Sequence, residues 1–176
     1  MVAMRVASIV LAISALGCGA VQRPDGGEGL LPKGSEVPEL SAADQQGRPV
    51  ALRGLQGQPV VVYFYPKDGT PGCTEEACAF RDAWTRYERA GVRVIGVSAD
   101  DAAAHREFSQ EHGLPFSLIA DPEHVWSRAF GVGTFLGMTS RVSFLIGRDG
   151  RVAKVYADVD PGVHADEILK DVAQLK

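Results

Sequence analysis

Cys73 carries the strongest chemical signal in this sequence, because of what surrounds it: Tyr63-Phe64-Tyr65-Pro66-Lys67-Asp68-Gly69-Thr70-Pro71-Gly72-Cys73-Thr74-Glu75-Glu76-Ala77-Cys78. The stretch starts as an apolar strand over 60–65. It breaks at Pro66, crosses a loop of turn residues and restarts as a helix. Thr70 suits the N-cap and Pro71 the first helical position. Cys73 then falls in the first turn, where unpaired backbone N–H groups and the positive end of the helix dipole gather. Those groups favour a thiolate, the nucleophilic form of cysteine. The pattern predicts a reactive-cysteine site.

The elements that must hold it follow from periodicity. The helix is expected over 73–90, stopping at Gly91. Ala77, Phe80, Trp84 and Tyr87 form one apolar stripe, and Cys73 continues it, so its sulfur should face the fold. Cys78 lies one position off the stripe. The continuous apolar runs 60–65 and 92–97 read as strands buried on both faces. A hairpin is expected from 37–42 and 49–52. A polar helix should cover 101–112, a short strand 116–119 and a helix 122–130. Strands 141–146 and 151–156 should be joined through Gly147-Arg148-Asp149-Gly150, and 161–175 should close the chain as a helix. This order predicts an α/β fold, a central mixed β-sheet flanked by helices.

The 176 residues read as one domain, 36–176, behind an N-terminal extension. Arg5, the apolar run 6–16 and the small residues before Cys18 have the form of a secretory signal peptide over 1–17. Ala15-Leu16-Gly17-Cys18 resembles a bacterial lipobox, with the leucine one place closer to the cysteine than usual. In that pattern Cys18 becomes the lipidated first residue. The reading implies export to the cell envelope or periplasm, with membrane contact only through an N-terminal lipid anchor. Residues 18–35, rich in Gly with Pro24 and Pro32, read as a flexible tether. The formal charge is −4 and no basic run appears, which argues against nucleic-acid binding. His105, His112, His124 and His164 lack metal-ligand spacing. The glycines of 131–137 lack dinucleotide-loop spacing. No metal or cofactor is expected.

With Phe80-Arg81-Asp82 added, the active stretch resembles the peroxiredoxins of the bacterioferritin-comigratory protein and peroxiredoxin Q group. That family's pattern of Pro, Thr and Cys falls on Pro66, Thr70 and Cys73. Its later Arg falls on Arg141, in Arg141-Val142-Ser143-Phe144-Leu145-Ile146. The resemblance implies a thioredoxin-like fold and thiol peroxidase activity. Cys73 would attack the terminal peroxide oxygen and become a sulfenic acid. Arg141 would hold the thiolate and donate to the peroxide. Thr70 would bond the sulfur or the peroxide, and Pro66 would shape and shield the site. The resemblance also implies Cys78 as resolving cysteine, a thioredoxin-like reductant and a monomer. On an intact helix the Cα atoms of Cys73 and Cys78 would lie about 8.6 Å apart. A disulfide needs less than about 7 Å, so the first turns are expected to unwind on oxidation.

Full ionisation of a free thiol at neutral pH gains at most about 2 kcal/mol of barrier. Arg141, Thr70 and backbone N–H groups must therefore supply most of the catalysis. Glu76 is expected to serve the first helical turn, though the resemblance, in which Glu often stands there, also gives it an influence on the pocket; Trp84, Trp126 and Tyr87 are expected in the core. Two rivals share the fold class. A thioredoxin-type oxidoreductase would have two residues between its cysteines, where this chain has four. A copper-binding assembly module would have three residues between them and would leave Thr70 and Arg141 without a role.

Overall fold

The computed structural model describes residues 21–175. Its centre is a five-stranded mixed sheet. In chain order the strands are β3 (Val60–Phe64), β4 (Arg93–Ser98), β5 (Ser117–Ala120), β8 (Val142–Ile146) and β9 (Val152–Tyr156), and they lie side by side as β5-β4-β3-β8-β9. β3 runs parallel to β4 and antiparallel to β8. Every residue of β3 is buried, as its unbroken apolar run requires. Successive side chains point to opposite faces. Val61 and Tyr63 join one core with Cys73, Ala77, Phe80, Tyr87, Phe108 and Ile168. Val60, Val62 and Phe64 join the other with Leu31, Val50, Trp126 and Phe130.

The first core lies under α1 (Pro71–Asp82), α2 (Trp84–Ala90), α3 (Ala102–His112) and α5 (His164–Val172). The second lies under α4 (Val125–Ala129), residues 31–37 and the hairpin β1 (Ser41–Ala43) with β2 (Pro49–Ala51). Among the described residues no helix is long and apolar enough to cross a membrane.

Five expectations need correction. The helix expected to run unbroken to residue 90 starts at Pro71, where Thr70-Pro71 places it, but is broken at Ala83, whose N–H bonds both Ala79 O and Arg81 O. That tightened turn aims Tyr87 into the core, where its hydroxyl donates to Ala165 O at 2.8 Å. Trp84, expected in the core, is left only half-buried against Phe116. The helix expected at 122 starts at Val125, because the Asp121 carboxylate accepts from Trp126 N and Ser127 N at 3.0 and 2.9 Å and fixes the start there. Within the loop 131–137 lies the start of a small hairpin, β6 (Thr134–Phe135) with β7 (Met138–Thr139).

The tether is the fifth. Residues 21–35 pack against the domain. Leu31 is 3% exposed and its N–H bonds Phe130 O at 2.9 Å. Buried Arg23 donates to Glu28 O and Gly29 O at 3.0 and 2.7 Å. One apolar side chain in the second core and one guanidinium bound by backbone carbonyls and the Asp25 carboxylate order a segment whose composition reads as loose. The leader 1–17 and Cys18 lie outside the described residues.

Candidate active site

The site forms where β3 ends and α1 begins. Between them runs the loop 66–70, opened by half-buried Pro66. The loop is fastened by a polar network. Asp68 accepts from the Tyr65 hydroxyl at 2.7 Å and lies 2.7 Å from His105 Nδ1. Asp68 N–H donates to Asp100 at 2.9 Å, and Ser98 Oγ donates to the same carboxylate at 2.6 Å. His105 is fully buried. Thr139 Oγ1 adds a bond to Tyr65 O at 2.5 Å. Held from three sides, the loop starts α1 at a fixed place.

Cys73, the third residue of α1, is 1% exposed and faces the sheet as the stripe predicts. Arg141 stands one residue before β8, whose Val142 pairs with Phe64 at the end of β3. That register carries a residue 68 positions away to the loop's edge. Arg141 Nη2 lies 3.2 Å from Cys73 Sγ, and Nη1 bonds the carboxylate of Glu76. A Cβ at Gly72 would lie 3.4 Å from Nη2, so the guanidinium passes directly over the first turn of α1.

Glu76 is fully buried, one helical turn after Cys73 on the same face. Burial pushes its carboxyl up to about 7, against the pull of Arg141. Burial opposes the charge of Arg141, yet the Glu76 carboxylate and the Cys73 sulfur hold it above the usual guanidinium value. One planar fork thus spans an acid and a sulfur, a geometry that lysine could not reproduce.

The other expected residues fall as follows. Thr70 occupies the N-cap position, but its hydroxyl donates to Lys67 O at 3.0 Å and makes no side-chain cap bond; it stabilises the loop's turn. Cys78 is half-buried at a groove bordered by Glu75, Asp82, Arg86 and Ala165. Both cysteines are free thiols on one unbroken helix. His164 lies in the core, with Nε2 2.9 Å from Ser143 Oγ. Burial holds its imidazole below the usual value.

Two pairings escaped the sequence reading. Glu76 is the buried partner of Arg141, and its spacing of three from Cys73 was the available signal. The Asp68–His105 pair joins residues 37 apart, and only the adjacency of β3 and β4 reveals it.

A profile of the AhpC/TSA family matches residues 33–155. The chain belongs to that family. Within it, the chain groups with the peroxiredoxin Q proteins. It is 42% identical over 150 residues to peroxiredoxin Q, chloroplastic, of Oryza sativa subsp. japonica, covering 84% of this chain and 69% of the relative. To the Sedum lineare protein of the same name it is 42% identical over 147 residues, with 82% and 79% covered. The fold superposes on peroxidoxin BcpB from Mycobacterium tuberculosis with a TM-score of 0.76 at 31% identity, covering 82% and 97% of the two chains. Xanthomonas campestris peroxiredoxin Q gives 0.74 at 31% identity, covering 81% and 97%. The fold is thioredoxin-like, and this peroxiredoxin is a thiol-dependent peroxidase.

Proposed function

We propose that this peroxiredoxin reduces hydrogen peroxide and organic hydroperoxides with Cys73 as the attacking sulfur and Cys78 as the resolving one. The observation that carries the reading is the fork of Arg141, 3.2 Å from Cys73 Sγ on one arm and braced by buried Glu76 on the other. The Cys73 thiolate attacks the terminal peroxide oxygen. An S–O bond forms, the O–O bond breaks, and its electron pair leaves on the second oxygen, which takes a proton to give water or an alcohol. Arg141 holds the thiolate and then donates to the oxygen on which charge develops, together with the N–H groups at the start of α1. The hydroxyl of Thr70 and the ring of Pro66 line the approach. The Cys78 sulfur next attacks the sulfenic sulfur, forming the Cys73–Cys78 disulfide and releasing water. A thioredoxin-like dithiol reduces that disulfide. The protein acts as a monomer, exported by residues 1–17 and held at the membrane by a lipid on Cys18.

Mass spectrometry after one equivalent of peroxide tests the chemistry. Wild type should lose two hydrogens as an internal disulfide. Cys78→Ser should stop at sulfenic or over-oxidised Cys73, and Cys73→Ser should not react. A disulfide that forms without peroxide, together with faster reduction of insulin disulfides than of peroxide, would point to a thiol–disulfide oxidoreductase instead.

A further inference from the structure

Three of the five large apolar side chains exposed among the described residues share one hairpin: Phe135 at 74%, Leu136 at 81% and Met138 at 37%. Leu136 forms the turn with Gly137 at φ values of 50° and 78°. Asn or Gly suits such a turn, and leucine there is strained. The leucine therefore contributes surface, not turn stability. Residues 131–140 contain no charged side chain, in a chain of net charge −4.

The hairpin is fastened to the active site. Ser140 N–H bonds Gly133 O at 2.8 Å, Thr139 Oγ1 bonds Tyr65 O, and Arg141 follows directly. It also adjoins the start of the described chain. Gly29 N–H holds Val21 O at 2.8 Å, a Cβ at Gly133 would lie 4.0 Å from Val21 Cγ2, and one at Gly131 would run into Gly29 O. Three residue steps separate Val21 from Cys18, a reach of at most about 11 Å. Gly133 to Leu136 is also three steps, about 10 Å along a strand.

We propose that the tip of the β6–β7 hairpin, Phe135, Leu136 and Met138, is a membrane wedge that enters the lipid interface beside the anchored N-terminus and turns the mouth of the Cys73 site toward the bilayer. This rests on the reading that the chain is exported and held at residue 18. A lipid at that position brings the bilayer within reach of the tip. An uncharged apolar tip is the surface that headgroups of either charge admit. The anchor confines the domain, and the wedge orients it.

The test uses the processed chain from residue 18, with Cys18→Ser so that no lipid is attached; the core, within 31–172, is intact. It is compared with the same chain carrying Phe135→Ser and Leu136→Asn, the latter suited to the turn. With vesicles of phosphatidylethanolamine and phosphatidylglycerol, the variant should partition at least about tenfold less. It should reduce hydrogen peroxide at the unchanged rate but lose turnover of phosphatidylglycerol hydroperoxide in those vesicles. Equal partitioning of the two proteins, no binding by either, or equal loss on both peroxides would overturn the wedge. So would a concentration-dependent dimer that the substitutions abolish, which assigns the tip to a second copy. The anchor is judged separately, by the mass of residue 18 in the exported full chain: an unmodified cysteine defeats the anchor, whereas the vesicle result decides the wedge.

Discussion

Glu76→Gln separates the cost of burying a carboxyl from the benefit of bracing Arg141. The substitution keeps shape and volume and leaves an oxygen to accept from Nη1. In the unfolded chain this carboxyl titrates near its ordinary value of 4.5, whereas burial raises it to about 7 in the fold. Between those values the folded state binds the extra proton, so stability falls as pH rises through the window. The contribution is fully present below pH 4.5, and the displacement amounts to about 3 kcal/mol lost by the time pH passes 7. Urea unfolding of the reduced protein, followed at intervals from pH 4.5 to 8, should show this decline in wild type and a flatter curve in Glu76→Gln, the two differing by about 3 kcal/mol across the range. Parallel curves would refute the assignment, because a carboxyl as readily ionised in the fold as outside it is not desolvated. In the same variant the reaction of Cys73 with peroxide should lose its dependence on the Glu76 ionisation near pH 7.

Arg141→Lys should slow the reaction with peroxide about 10²–10³-fold in stopped-flow fluorescence, because one ammonium cannot brace on Glu76 and reach the sulfur together. Phe80→Ala should cost about 3–5 kcal/mol in denaturant unfolding, since the ring is fully buried against Tyr63, Tyr87, Phe116 and His164. In hydrogen exchange, amides 74–78 should be protected in the reduced protein and lose that protection in the disulfide form, while β3 stays protected; unchanged protection on oxidation would show that α1 need not unwind.

Much of the site was legible one residue at a time. Thr70-Pro71 announced where α1 starts, and the apolar stripe through Ala77 and Phe80 turned Cys73 inward, since both depend on contacts within a few positions. The unbroken run 60–64 identified the central strand because burial on both faces leaves no polar position. The break at Ala83 was not legible: Ala, Trp and Arg are good or neutral helix residues, and only the need to seat Tyr87 against α5 tightens the turn there. Nor was the packing of residues 21–35, which depends on a space beside Phe130 that the sequence does not display.

The order of elements and the placing of Cys73 in the first turn of a helix were written into the chain itself, because strand periodicity, helix caps and turn chemistry are local; Arg141 was singled out only by the family resemblance. The meeting of Arg141 with Cys73 was not written there, because it depends on β8 lying antiparallel beside β3 in one register. The burial of Glu76 behind that guanidinium and the pinning of the catalytic loop by His105 are likewise products of assembly. Low dielectric and fixed distance arise only when distant segments exclude water together, and those two quantities decide how the sulfur and its neighbours share charge.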